Sequence, residues 1–263
     1  MRVENIGFGN LKLKQNPEEF CYGIDAVILA DFASGICGNF KAAADLGTGS
    51  GVIPFILSHK GENKSSRIVG IDIQQSCIDM ARESCRMNGL TERVRFLRMD
   101  VAHIAEGKSA SELFEAGRTK EESRGFFENL SWGSFDVVTA NPPYVARGSG
   151  IANGNMNRFI SRQETTAGME EFAGASARLL KRGGHFFLVH RPSRLADIMY
   201  YCRKCSLEPK TLRFVSPRRD EAPNIVLLHC VKGGGKELNV LRNLFVYEEN
   251  GDYSEEINRI YER

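Results

Sequence analysis

Three features hold residues whose types and spacing could do chemistry: DLGTGSG at 45–51, aspartates that close hydrophobic runs, and NPPY at 141–144. In DLGTGSG, Gly47, Gly49 and Gly51, with Thr48 between them, permit a tight turn and close approach of backbone to a ligand. A helix that follows would aim its free N–H groups at whatever sits there. The spacing is G-x-G-x-G, not the G-x-G-x-x-G of dinucleotide folds. Asp45, ahead of the first glycine, would repel a pyrophosphate and attract an ammonium. Asp72, followed by Ile73, closes the next run, where a carboxylate can accept from both ribose hydroxyls. Asp100 closes the one after and can accept from an exocyclic adenine amine while the Val101 N–H donates to the ring. A glycine loop alone could be only a turn, and an aspartate after a strand is often a helix cap. All of these in order describe a site for an adenosine with a cationic amino-acid tail, which S-adenosyl-L-methionine fits.

NPPY follows FDVVTA, which reads as a buried strand. Pro142 and Pro143 lack a backbone N–H and fix φ, so the strand must stop there. The stopped strand leaves a backbone carbonyl facing outward beside the side-chain oxygen of Asn141. Two adjacent acceptors can grip the two hydrogens of a planar amino group, and Tyr144 offers a flat ring on which the parent base or amide can stack. An adenine amine is a poor nucleophile because its lone pair is delocalised into the ring. Accepting both hydrogens favours a nitrogen turning tetrahedral and stabilises the positive charge that develops on it. Asn141, Pro142, Pro143 and Tyr144 are therefore the candidate catalytic residues, and Asn141 also borders the candidate cofactor site. This chemistry requires no metal. A base must leave its stack to reach such a pocket, which suits single-stranded or loop nucleic acid.

These residues can act together only if the elements carrying them converge. The runs AAADLG, RIVGIDI, VRFLRM, FDVVTA, HFFLVH, TLRFV and NIVLLHCV alternate with VIPFILSHK, QQSCIDMARESCRMN, EEFAGASARLLKR and PSRLADIMYYCRKC, whose apolar residues recur three and four apart. The alternation predicts an α/β, doubly wound, Rossmann-like fold with a seven-stranded, mostly parallel sheet, whose ligands sit at the carboxyl ends of the strands. Only SPRRDEAP separates the last two strands, enough for a hairpin and too little for a parallel crossover, so the sheet is expected to end in an antiparallel last strand. One domain is expected over 1–263, with an N-terminal cofactor or substrate segment at 1–40, an insertion at 102–133 and a C-terminal extension at 232–263. Within the insertion, SASELFEA offers a short helix with Ser109 and Glu112 as a capping box.

At 42% apolar and 26% charged residues, the composition is that of a soluble globular protein. The longest apolar candidate, GVIPFILSH, falls well short of the roughly 20 residues that cross a bilayer, and MRVENIGFGNLKLKQN lacks the apolar stretch of a signal peptide. A cytoplasmic protein with no membrane partner is expected. Seven scattered cysteines suit reduced thiols. Cys202 and Cys205 form a C-x-x-C inside a helical pattern, with no second ligand pair to make a zinc site. KGGGK at 232–236 lacks phosphate-loop spacing and reads as a turn. The net charge of +2 hides an asymmetry: 16 basic residues stand against 19 acidic ones over 1–139, 17 against 8 over 140–242, and 2 against 6 over 243–263. The basic part starts at NPPY and would attract a polyanion, nucleic acid above all.

Through DLGTGSG, GIDI, RMD and NPPY the chain resembles the class I S-adenosylmethionine-dependent methyltransferases that methylate amino groups. Through FCYGIDAVILADFA and VHRPSRL it is similar, more narrowly, to the bacterial tRNA(Val) adenine-N6 methyltransferase family, a resemblance that extends through MNGL, LLKRGGHFFLVHRPSRL and VYEENGDYSEEI. The resemblance implies the methyltransferase form of the doubly wound fold, S-adenosyl-L-methionine as cofactor, and N6-methylation of an adenosine in tRNA at position 37, next to the anticodon. It implies that Tyr22, Gly23 and Asp25 lie against the methionine end of the cofactor. It also implies tRNA as partner, and the basic part of the chain offers the candidate contacts: Arg147, Arg158 and Arg162 after NPPY, then Arg191, Arg194, Arg213, Arg218 and Arg219, which would position RNA without reading its sequence. Ile24 stands where related openings carry threonine, and Gln163 where histidine is usual. The oligomeric state is left open, a monomer being sufficient.

Two other activities compete. NPPY grips an amide NH2 as well as an adenine amine, which fits N5-glutamine methylation of a translation release factor. Those enzymes usually carry a helical domain ahead of the glycine loop, whereas 44 residues precede Asp45 here. Amino-methylation of rRNA or DNA is the other. A binding module without catalysis is disfavoured by intact Asp45, Asp72, Asp100 and NPPY.

Overall fold

The computed structural model describes residues 1–17, 21–108, 132–143 and 167–263. A hairpin of β1 (Arg2–Asn5) and β2 (Lys12–Gln15) precedes α1 (Ile24–Ile36). Strands and helices then alternate: β3 (Ala42–Leu46), α2 (Val52–Lys60), β4 (Arg67–Asp72), α3 (Gln75–Met87), β5 (Val94–Arg98), α4 (Val101–Glu106), β6 (Phe135–Ala140), α5 (Met169–Leu179), β7 (Leu180–His190), α6 (Leu195–Lys204) and β8 (Leu207–Ser216). β9 (Ile225–Lys232), β10 (Asn239–Val240), β11 (Leu244–Phe245) and α7 (Glu255–Ile260) complete the order.

All seven expected strands form, and they lie in the order β8, β9, β7, β6, β3, β4, β5. Among the described residues the sheet has nine strands, the seven expected ones together with β10 and β11, of two residues each, which run parallel to β8 on its outer side. β9 is antiparallel as expected, but it does not end the sheet. It lies between β7 and β8 and pairs with both. A hairpin connection fixes that β8 and β9 are neighbours, not which of them takes the outside.

Period-two alternation in the strands feeds two cores. Ala43, Ile68, Val137, Phe187 and Leu227 face α1, α2 and α3, while Ala44, Val69, Val138, Phe186 and Leu228 face α4, α5 and α6. α2 is buried on nearly every side and contains Pro54. Proline is tolerated because it falls in the first turn, where its N–H would have no helical acceptor. The hairpin, unforeseen in the 1–40 segment, docks on α3: Ser84 accepts from the Lys14 N–H at 2.9 Å, and Asn88 accepts from the Lys12 N–H at 2.8 Å. These side chains satisfy an edge that a two-stranded ribbon would otherwise leave open.

Val101–Glu106, at the start of the segment expected as an insertion over 102–133, is a helix capped by Asp100. SASELFEA lies outside the described residues. Cys202 is fully buried in α6, and Cys205 caps the end of that helix. Among the described residues no helix is long and apolar enough to cross a membrane.

Candidate active site

The glycine turn sits between β3 and α2. Gly47, Gly49 and Gly51 have φ of +72°, +54° and +89°, values glycine adopts without steric cost. The N–H groups of Gly47 and Thr48 both donate to the Ile71 carbonyl at 2.9 Å, which pins the loop to the end of β4. A Cβ on Gly51 would lie 2.7 Å from Phe96 Cζ, whereas a Cβ on Gly49 would meet nothing within 4 Å. Packing therefore requires Gly51, and Gly49 borders open space. Gly70, inside β4, escaped motif reading: a Cβ there would come 2.5 Å from Phe96 Cδ1 and 2.8 Å from Thr48 Oγ1. An isolated glycine in RIVGIDI was the available signal.

Asp45, Asp72 and Asp100 stand at or beside the carboxyl ends of three neighbouring strands. Asp45 is fully buried, and its Oδ1 accepts from the Thr139 hydroxyl at 2.7 Å. Its Oδ2 has no hydrogen-bond partner among the described residues, and neither does the buried Thr48 Oγ1. Burial pushes the Asp45 carboxyl up to about 7, against the pull of the Thr139 hydroxyl and with the help of the Asp72 charge. Asp72 accepts from the Gly49 N–H and the Gln74 N–H, both at 2.9 Å. Burial raises its carboxyl, and these amides work against the rise. Asp72 thus also braces the loop, a role that its position after a strand did not reveal. Asp100 Oδ1 accepts from the Ala102 N–H at 2.9 Å, which leaves Val101 as the first residue of α4. Ile73 is half-buried beside Asp72.

NPPY begins one residue after β6 ends. Asn141 is half-buried, Pro142 buried and Pro143 exposed. Tyr144 lies outside the described residues. The side-chain N–H of Asn141 donates to Asp25 Oδ2 at 3.2 Å. α1 therefore reaches the end of β6, and Asp25, taken from sequence as a cofactor contact, is also a neighbour of NPPY. Gly23 caps α1, and Tyr22 is half-buried with its N–H donating to Gln15 at 3.0 Å. Burial foremost, with the Glu4 charge second, raises the Tyr22 hydroxyl above its usual value. Thr139 was missed because a threonine in a buried strand reads as β propensity.

The arginines divide. Arg191 is exposed just after β7, and Arg194 pairs with Asp197 at 2.9 Å. Arg218 and Arg219, exposed in the β8–β9 loop, lie over the rings of Tyr247 and Phe245 at 5.9 and 5.1 Å from the centroids. β8 runs in the same direction as β7, so all four stand at the carboxyl edge that carries NPPY. Arg213, also taken as an RNA contact, is half-buried in β8, donates to Glu256 at 2.8 Å and to the Arg242 carbonyl at 3.0 Å, and so tethers the C-terminal segment. Arg147, Arg158, Arg162 and Gln163 lie outside the described residues.

A buried carboxylate oxygen without a partner, a glycine facing open space and two further acidic strand ends fit an adenosine with an ammonium-bearing tail. The chain is similar to the tRNA1(Val) (adenine(37)-N6)-methyltransferase of Haemophilus influenzae, 21% identical, over 96% of this chain and 94% of that one. It is also similar to the release factor glutamine methyltransferase of Chlorobaculum tepidum, 28% identical, over 58% of this chain and 46% of that one. Among solved structures, a predicted O-methyltransferase from Agrobacterium tumefaciens shares the fold with a TM-score of 0.63 at 18% identity, covering 90% of this chain and 95% of that one. Residues 41–211 match the Methyltransferase domain family, and the chain, with a glycine turn and acidic strand ends suited to S-adenosylmethionine, belongs to that family.

Proposed function

We propose that this chain transfers a methyl group from S-adenosylmethionine to N6 of an adenosine in tRNA, at position 37 beside the anticodon. The observation that carries the tRNA reading is extent. Similarity to the tRNA enzyme covers 96% of the chain, and so takes in most of the segment after β9, whereas similarity to the glutamine enzyme covers 58%. The excess of 17 basic over 8 acidic residues across 140–242 supports a polyanionic partner.

In this reading Asp45 Oδ2 accepts from the ammonium of the methyl donor, Asp72 from the ribose hydroxyls through lone pairs that its two amide bonds leave, and Asp100 with the Val101 N–H holds the adenine. Gly47, Thr48, Gly49, Gly51 and Ile73 line the space between, with Tyr22, Gly23 and Asp25 toward the methionine end. When bound, S-adenosylmethionine supplies an electrophilic methyl carbon on a sulfonium. The chain's own contribution is alignment and charge. Asn141 Oδ1 and the Pro142 carbonyl accept the two hydrogens of the target amine, Pro143 keeps the strand ended, and Tyr144 stacks on the base. As the new N–C bond forms and the methyl carbon's bond to sulfur breaks, leaving a neutral thioether, the nitrogen becomes positive and both hydrogen bonds strengthen. One of those hydrogens then passes to water as a proton. Arg191, Arg194, Arg218 and Arg219 hold phosphates, with Arg147, Arg158 and Arg162 after NPPY.

The higher identity of the release-factor relative, 28% against 21%, favours a second reading, N5-glutamine methylation. Purified protein incubated with methyl-labelled S-adenosylmethionine separates them. Label entering tRNA as N6-methyladenosine, and lost when position 37 is replaced, is the expected result. Label in release factor instead supports the second reading, and label in rRNA or DNA redirects the substrate. Label in none of tRNA, release factor, rRNA and DNA overturns both readings. Asn141→Ala should cut turnover far more than cofactor affinity, and undiminished turnover in that variant would remove Asn141 from the reaction.

A further inference from the structure

Asp25 and Asn141 stand 116 positions apart in sequence and meet at 3.2 Å. A carboxylate only accepts hydrogen bonds, so the edge of the Asn141 amide that faces Asp25 must be its NH2. The carbonyl oxygen is then turned to the opposite side. The two ends of an amide are nearly identical in shape, so nothing in the packing of Asn141 alone would select between them. A flipped amide would offer NH2 donors to an amino group that needs acceptors.

Asp25 is itself held in place. Its Oδ1 accepts from the Ala26 N–H at 2.9 Å in the first turn of α1, where the helix dipole favours a negative charge. Gly23 leaves it room, since a Cβ there would come 2.6 Å from Asp25 Oδ1. Asp25 and Asn141 are both half-buried, a setting in which the bond between them is stronger than in water.

We infer that Asp25 is a positioning residue for methyl transfer, fixing the Asn141 amide with its carbonyl oxygen toward the methyl acceptor. The inference rests on the methyltransferase reading and gives α1 a part in the reaction besides any contact with the cofactor. It concerns the polarity of the site and not which macromolecule carries the amine.

Asp25→Asn tests it. The substitution is isosteric, and the oxygen of the new amide still serves the Ala26 N–H. Its NH2 then faces Asn141, whose own amide must turn to accept, pointing donors at the substrate. The expected kcat falls about 100-fold or more, comparable to losing one stabilising contact to a developing charge. Because Asp25 also lies toward the methionine end of the cofactor, kcat is read at saturating S-adenosylmethionine, with the Kd for S-adenosylhomocysteine measured by calorimetry for each variant. Asn141→Asp alone sets two carboxylates against each other and is also slow. Combining Asp25→Asn with Asn141→Asp restores the polarity, because the amide at 25 donates to one oxygen at 141 and the other oxygen accepts from the substrate. The double variant should recover kcat by about tenfold or more over either single variant, a coupling that a merely structural role would not produce. A kcat for Asp25→Asn within about threefold of wild type overturns the inference, and so does a double variant no faster than the singles. A wild-type chain that methylates none of the acceptors overturns the methyltransferase reading itself. An active wild type with an unaffected Asp25→Asn overturns the positioning role alone.

Discussion

Thr139 donates its hydroxyl to Asp45 at 2.7 Å, and the two residues are paired in register between β6 and β3. Asp45 lies two residues before Gly47, and Thr139 lies two residues before Asn141. One hydrogen bond therefore joins the strand that carries the glycine turn to the strand that carries NPPY. Because it occupies Oδ1, Oδ2 is the oxygen left for a ligand.

Thr139→Val keeps the side-chain shape and removes the donor. A buried oxygen that loses its partner costs about 1–3 kcal/mol, so urea titration should show a loss of stability of that order. Asp45 should move further toward the neutral acid, and affinity for S-adenosylhomocysteine should drop about tenfold, equivalent to about 1.4 kcal/mol. Wild-type stability together with wild-type affinity would mean that the two strands act independently.

The glycines of the turn should separate folding from binding. Gly51→Ala meets Phe96 at 2.7 Å with φ at +89° and should lower stability by about 2 kcal/mol or more. Gly49→Ala meets nothing within 4 Å, so only the left-handed φ is penalised, about 1 kcal/mol. Its methyl group nevertheless enters the open space beside Asp72, and cofactor affinity should fall at least about tenfold. Thermal melts and calorimetry on the two variants check the contrast.

Stability should depend on pH through buried groups of opposite sign. Burial holds His190 and His229 down to about 4, below the usual histidine value, and lifts Asp45 to about 7. Between about pH 4 and 6.5 the unfolded chain protonates both histidines and the folded chain does not, so each makes stability rise with pH in that window. Asp45 is neutral when folded and ionised when unfolded, so it makes stability fall as pH rises from about 4 to 7. His185 is shifted in the direction of the other histidines and Asp72 in the direction of Asp45. His190 and His229 together outweigh Asp45 over the range they share, so these three groups give a net rise from about pH 4 to 6.5. Asp45→Asn should steepen it in urea titrations across that range. A slope no steeper than wild type would show that Asp45 does not oppose the histidines.

Exposed and tethered arginines should respond differently. Arg218→Glu with Arg219→Glu should weaken tRNA binding and flatten its dependence on salt, because phosphate contacts are lost. Arg213→Ala should leave tRNA affinity near wild type and lower stability by about 1 kcal/mol, since its carboxylate partner Glu256 is partly exposed. Filter binding at several salt concentrations and a denaturant titration provide the readouts. Unchanged affinity in the double Glu variant would place the RNA face elsewhere.

The strands and motif residues were legible because each is written locally, as alternation, as a glycine spacing or as an aspartate after an apolar run. β10 and β11 were not, since two-residue strands carry no periodicity. The place of β9 was also out of reach, because a hairpin constrains adjacency and not order. Likewise Arg213 reads as one more basic residue until folding brings Glu256 beside it, 43 positions away. The Asp25–Asn141 contact has no local signature at all, since it is made by a helix that precedes the sheet and a strand at its centre.

Among the described residues, the three strands that pair with β8 all follow it in the chain. A nascent polypeptide released from the ribosome only as far as Ser216 therefore carries β8 without a sheet neighbour, its apolar Leu207, Leu212 and Val215 uncovered by strands. β3, β4, β5, β6 and β7 already have one another by then. During synthesis the half of the molecule that holds the glycine turn and Asn141 can assemble first, and the edge that bears Arg218 and Arg219 is completed only when β9 slides into its slot.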